Sequence, residues 1–199
     1  MPVVECDVEA AREELADAGA SFSDGNSEYE LWHADLGDAH AVAYEDKLVV
    51  QGASPTDITA VVEPDRGGRV HAYFDGASRG NPGPASVGWV LVSGDGGIVA
   101  ENGETIGRAT NNQAEYEALL AVLEAAGDFG FDEIEIRGDS QLVEKQVKGA
   151  WDTNDPELRE KRVRVRELLE RFEDWSITHV PREVNDRADE LANEALDDA

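Results

Sequence analysis

From residue 70 to the end of the chain the hydrophobic period switches between two and 3.6 in a fixed order, which restricts the fold more than any other feature. Alternating apolar and polar positions mark strands at 70–75, 86–92 and 97–103. A helical period then marks 112–126, followed by strand 133–138, helices 140–149 and 155–173, strand 175–180 and helix 186–196. Three strands joined by short turns are hairpin neighbours, whereas strands separated by helices cross over and run parallel. The expectation is an α/β fold, a mixed sheet with helices on both faces.

Ahead of this region, residues 7–18 read as an acidic amphipathic helix and SFSDGNSE as a polar turn. YELWHA, HAVAYE and KLVVQGA read as short strands, with a tight turn at Glu45 and Asp46. Ser54 and Pro55 open a second helix that runs to about Val62, because proline is tolerated in a first turn. The expected organisation is a small α+β domain over 1–62 in the order α-β-β-β-α, a linker EPDRGGR over 63–69, and a second domain over 70–199.

The charge narrows the working conditions. Forty-four Asp and Glu face 17 Lys and Arg, a formal net charge of −27. By itself this argues against a nucleic-acid partner, since binding a polyanion normally draws on Lys and Arg that neutralise phosphates. The same pattern suits a halophilic protein, because in about 1 M salt the Debye length falls to about 3 Å and long-range repulsion is screened. Cys6 is the one cysteine, so no intramolecular disulfide forms. The start MPVVECDVEA has neither a basic nor an apolar leader segment, and no run approaches a membrane span. A cytoplasmic protein with no membrane partner is the expectation.

Four acids stand at telling places. In VHAYFDG the alternation puts Val70, Ala72 and Phe74 on one face and His71, Tyr73 and Asp75 on the other, with Asp75 ending the strand. Asp139 ends EIEIRGD just before a helix, and strand ends of α/β sheets are where ligands bind. Glu115 lies in the first turn of its helix, where alone it would be a favourable charge worth about 0.3–1 kcal/mol. Asp189 lies beside Ala188, Leu191 and Ala192 on the last helix, where alone it would be a solvated acid.

The strings around these acids are more specific than the acids themselves. VHAYFDGASRGNPGPASVGW, TNNQAEYEALL, IRGDSQLV and NDRADELAN resemble, in order and spacing, the signature blocks of the type 1 ribonuclease H family, from residue 70 to about 195. The resemblance implies the RNase H-like fold, a five-stranded sheet in the order 3-2-1-4-5. It implies that Asp75, Glu115, Asp139 and Asp189 are catalytic and hold two divalent ions, Mg²⁺ or Mn²⁺. It further implies a monomeric endonuclease of DNA replication that cuts the RNA strand of an RNA–DNA hybrid, leaving a 5′-phosphate and a 3′-hydroxyl. General chemistry agrees, since hard cations take oxygen ligands and two ions about 3.5–4 Å apart clamp an in-line phosphodiester displacement.

The resemblance also suggests substrate contacts. The backbone of Gly76 and Ser78 and the side chains of Asn81, Asn111, Asn112 and Gln141 are candidates for reading 2′-hydroxyls, which DNA lacks. Each Asn also suits a turn or helix cap. Arg108, Thr110 and Asn154 match the family's pocket for a phosphate of the DNA strand, a contact that positions a duplex without reading bases.

In places the chain departs from the family pattern. Longer members carry a helix and basic loop that grip the hybrid, whereas KQVKGAWDTNDPELREK passes between helices through a short turn. Arg159, Arg162 and Arg166 share a helix flank and are open to phosphate or to pairing with Glu160, Glu167 and Glu170. Many members place a histidine in a Gly-rich loop before the last acid. Counting back gives His179, but following the strand puts His179 inside it and leaves Glu183, or nothing, for the loop. Residues 1–69 do not match the family's hybrid-binding module. AVAYEDKLVVQGAS is similar to part of a TATA-binding-protein-like domain found on another ribonuclease H type, the alternative being a folding or partner domain. A hybrid-binding protein without turnover and a related resolvase or exonuclease are the rival functions. Four intact acids speak against the first, and the Asn and Gln set against the second.

Overall fold

The computed structural model describes residues 3–62, 68–94 and 96–198. Two compact units divide the chain, Met1–Arg66 with Asp128–Gly130, and Gly67–Gly127 with Phe131–Ala199. Of the expected linker, residues 63–67 lie outside the described residues, and Arg69 already begins a strand.

The first unit runs β1 (Val3–Glu5), α1 (Val8–Asp17), β2 (Ser21–Asp24), β3 (Trp32–Leu36), β4 (Ala39–Ala43), β5 (Lys47–Gly52) and α2 (Thr56–Val62). Its antiparallel sheet has the order β1-β5-β4-β3-β2. Asp7 caps α1 by accepting from the Glu9 and Ala10 amides, satisfying two orphan donors of the first turn. Val8, Ala11 and Leu15 pack with Trp32, Ala34, Leu48, Val50 and Ile58 in the core. Two strands depart from expectation: SFSD is strand β2 rather than a turn, and Val3–Glu5 adds β1. Both are edge strands held by backbone ladders to one neighbour, so hydrophobic periodicity leaves little trace of them.

The second unit runs β6 (Arg69–Ser78), β7 (Gly83–Ser93), β8 (Ile98–Ala109), α3 (Asn111–Asp128), β9 (Glu133–Gly138), α4 (Gln141–Val147), α5 (Pro156–Leu169), β10 (Asp174–His179), a 3-10 turn (Arg182–Val184) and α6 (Asp186–Asp197). Sheet order is β10-β9-β6-β7-β8, the expected 3-2-1-4-5 read from the other edge. β6 runs antiparallel to β7 and parallel to β9. The hairpin strands exceed their expected lengths because β6 and β7 stay paired from Val70↔Ser93 to Ser78↔Ala85, confining the turn to residues 79–82. Ala118, Leu119, Val122 and Leu123 of α3 and Leu158, Val165, Leu168 and Leu169 of α5 are buried as their stripes predict.

Two glycines set how closely helices approach the sheet. A Cβ on Gly76 would lie 2.2 Å from the carbonyl carbon of Ala114 and 2.3 Å from the amide of Glu115, so the start of α3 rests on bare strand backbone. Gly88 pairs with Asp75 and therefore faces the opposite side, where a Cβ would lie 2.2 Å from the Ala188 carbonyl oxygen of α6. Helices thus cover both faces. Gly88→Ala should cost about 1–3 kcal/mol in equilibrium denaturation, because the helix must lift. Gly94→Ala, whose Cβ meets nothing within 4 Å, serves as the control. Equal stability of the two variants would contradict this packing.

Candidate active site

Strand pairing brings two of the acids together. The parallel pairing of β6 with β9 ends at Phe74↔Gly138, and Asp75 and Asp139 are the next residue on each chain segment. Asp75 is therefore not at the end of β6, which continues to Ser78, but at the end of its ladder with β9. Asp139 precedes Ser140, whose hydroxyl caps α4 by accepting from the Val143 amide. Glu115 comes from α3, which Thr110 and Gln113 open reciprocally: the Thr110 amide donates to Gln113 Oε1 at 2.8 Å and the Gln113 amide donates to Thr110 Oγ1 at 3.2 Å. This cap starts the helix at Asn111, so Glu115 is its fifth residue, past the first turn where it was expected. A dipole role alone therefore explains it poorly.

Carboxylate oxygens of Asp75, Glu115 and Asp139 lie within 4.8 Å of one another, and no other such trio of Asp, Glu, His or Cys occurs among the described residues. Burial, then the charge of Asp139, pushes the Asp75 carboxyl up to about 8. Burial, then Asp75 and Asp139, also raises Glu115 well above the usual carboxylate range. Glu115 Oε2 and Asp139 Oδ1 are buried without a hydrogen-bond partner. Unpartnered buried acceptors on converging acids fit a hard divalent cation, which would satisfy the lone pairs and cancel the repulsion.

Asp189, in the first turn of α6, stands outside that trio. Its Oδ1 accepts from Arg182 Nη2 at 2.5 Å. Arg182 was not foreseen, and only its place seven residues before Asp189, in the stretch read for a loop residue, could have flagged it. Asn185 was also missed: it reads as a cap for α6, but its side chain makes no cap bond. Fully buried, it donates from Nδ2 to the Phe74 carbonyl at 2.9 Å, tying the start of α6 to the strand beside Asp75.

The suggested substrate residues fall into one cluster and three outliers. Where the turn after β6 meets α3, Ser78 Oγ donates to the Ala109 carbonyl at 2.8 Å and Asn81 Oδ1 accepts from the Asn111 amide at 3.2 Å. There too, Arg108 Nη2 donates to the Pro82 carbonyl at 3.4 Å, and Gly76 lies beneath Ala114 and Glu115. Asn112 and Gln141 are exposed in the first turns of α3 and α4. Asn154 is exposed just before α5, and no hydrogen bond joins it to Arg108 or Thr110 among the described residues. His179 closes β10 opposite Gly138, while Glu183 is exposed on the 3-10 turn. Arg159 and Arg162 donate to the carbonyls of Thr153 and Gln146 at 3.1 and 2.6 Å, and Arg166 lies over the Trp175 ring. None of the three pairs with Glu160, Glu167 or Glu170 among the described residues, so this flank braces the turn between α4 and α5.

Residues 73–195 match the family model described as reverse transcriptase-like. Over all 199 residues, the full length of both proteins, the chain is 85% identical to Ribonuclease HI of Halobacterium salinarum. The chain belongs to the ribonuclease H family. The crystal structure of RNase H1 from the halophilic archaeon Halobacterium salinarum superposes with a TM-score of 0.65 at 84% identity, over 66% of this chain and 99% of that one. LC11-RNase H1, solved in complex with an RNA/DNA hybrid, superposes with a TM-score of 0.62 at 42% identity, over 65% of this chain and 97% of that one.

In this ribonuclease H the raised acids tie stability to pH when no divalent ion is present. From about pH 4 to about 8 the folded chain retains protons that an unfolded chain has released, so stability falls as pH rises through that window. In chelator at pH 8, Asp75→Asn should therefore be more stable than wild type by on the order of 1 kcal/mol or more. By pH 4 the difference should disappear. Thermal unfolding at both pH values checks this, and a wild type more stable than the variant at pH 8 would contradict it.

Proposed function

We propose that this chain is an endonuclease that hydrolyses the RNA strand of RNA–DNA hybrids, with Asp75, Glu115, Asp139 and Asp189 holding two Mg²⁺ or Mn²⁺ ions and leaving 5′-phosphate and 3′-hydroxyl ends. The observation that carries this reading is the trio of buried acids whose oxygens lie within 4.8 Å, in a chain of this family. Bound divalent ions would lower the pKa of water at the site and neutralise charge building on the phosphate. The residues themselves orient. Asn185 and the glycine contacts fix the backbone of the elements that carry the acids, so that backbone need not reorganise during reaction.

The hybrid is the substrate class that a relative's complex supports. Ser78 directs its one hydroxyl proton at the backbone carbonyls of Gly80 and Ala109, leaving oxygen lone pairs to accept from a 2′-hydroxyl. Asn81 uses its carbonyl on Asn111, leaving its amide to donate. Asn111, Asn112, Gln141 and the backbone of Gly76 complete this reading surface, and Arg108, Thr110 and Asn154 hold a DNA-strand phosphate. Thr110 suits the task because its oxygen accepts from Gln113 while its proton stays free. An accessory proton-handling role falls to Glu183 or His179. Residues 70–199 form the catalytic domain, and 1–62 a separate small domain. A monomeric, salt-adapted cytoplasmic enzyme of primer removal completes the proposal.

An end-labelled hybrid incubated at high salt with Mg²⁺ or Mn²⁺ tests it. The RNA strand alone should be cut, and Asp75→Asn, Glu115→Gln and Asp139→Asn should each lose at least ~10³-fold in rate. Hybrid bound but never cut by wild type would identify a binding protein instead.

A further inference from the structure

Three of the four carboxylates face one another without a cation, and the fourth is held by one. The Arg182 side chain is 68% exposed and has Asp189 as its single side-chain partner among the described residues. Their direct contact at 2.5 Å is closer than the Debye length of about 3 Å in 1 M salt, so concentrated salt weakens the pair without abolishing it. The backbone around Asp189 has no such freedom, since Asn185 ties α6 to β6 and Ala188 sits against Gly88. What can change is the side-chain pairing.

A guanidinium and a divalent ion compete for the same carboxylate oxygens. Arginine does not lose its proton in proteins, so Asp189 is freed by movement of Arg182, which a competing anion favours, and not by deprotonation. An exposed ion pair is weak enough for such an exchange. The anion that arrives with a nucleic acid is the phosphodiester, whose two oxygens match the planar guanidinium fork. Resting on the hybrid-cleaving reading above, we propose that Arg182 is an internal counter-ion that holds Asp189 away from Asp75, Glu115 and Asp139 until substrate phosphate draws it off, so that the site takes up its full set of divalent ions only with nucleic acid bound. Arg182 is then a positioning residue that couples substrate binding to ion uptake. A second Arg182 effect points the same way: its charge also reaches Asp75 and Asp139, where it opposes ion entry.

Calorimetric titration of the full chain with Mn²⁺ tests this, using wild type, Arg182→Ala and Arg182→Lys. Each is titrated alone and with a short hybrid whose RNA strand carries phosphorothioate linkages that slow hydrolysis. Linked binding of this kind typically amounts to 5–150-fold. Without nucleic acid, Arg182→Ala should bind its weaker Mn²⁺ about tenfold more tightly than wild type. Hybrid should tighten Mn²⁺ binding by wild type about tenfold, by Arg182→Lys less, and by Arg182→Ala not at all. A merely structural Arg182 would leave this dependence on hybrid unchanged. If wild type binds Mn²⁺ and hybrid but Arg182→Ala gives the same Mn²⁺ affinities as wild type, both alone and with hybrid, the counter-ion role alone is overturned. If wild type binds neither, the enzyme reading falls with it.

Discussion

Everything at the candidate active site depends on backbone meeting backbone across both faces of one sheet. α3 rests on Gly76 and α6 on Gly88, and any side chain at either position would push its helix outward. Glu115 rides on the first helix and Asp189 on the second, while Asp75 lies between the two glycine contacts and Asp139 follows the adjacent parallel strand. Asp75, Glu115 and Asp139 therefore converge from a strand, a helix and the bend that follows a strand, with Asp189 on the helix beside them. The cost is electrostatic. Burial and mutual repulsion hold Asp75 and Glu115 far above their ordinary pKa values, a strain that the apolar cores of α3 and α5 must offset.

Few cations serve a chain with 17 Lys and Arg against 44 acids, and most of them work inside the scaffold. Arg69 and Arg137 brace Glu135 on β9, Arg187 clasps Glu101 and Glu190, and Arg159 and Arg162 hold main-chain carbonyls. Arg182 is different, being exposed and paired with one of the four acids that carry the proposed chemistry. Repulsion among those acids is thus only partly relieved by the chain itself, and this fits an arrangement completed by divalent ions.

Much of the second unit was legible because its elements bury one face and so write a period into the sequence. Val70, Ala72 and Phe74 announce β6, and Ala118, Leu119, Val122 and Leu123 announce α3. The strand order could be named only through the resemblance of the blocks around Asp75, Glu115, Asp139 and Asp189. What stayed hidden was held by backbone or by single polar bonds. β1 and β2 are edge strands whose ladders do not depend on side-chain pattern. Asn185 looks like a helix cap, and its bond to the Phe74 carbonyl spans 111 positions of sequence that no local pattern connects. Arg182 looks like one more surface arginine until the fold brings it to Asp189.

Central to this account is that these acids are a binding site for divalent ions rather than a buried repulsive cluster that the fold merely tolerates. Anomalous diffraction from crystals of the chain with a bound hybrid and Mn²⁺ tests that directly. The account predicts two peaks about 3.5–4 Å apart among Asp75, Glu115, Asp139 and Asp189. Well-diffracting crystals with hybrid in place and no peak among these four side chains would contradict it.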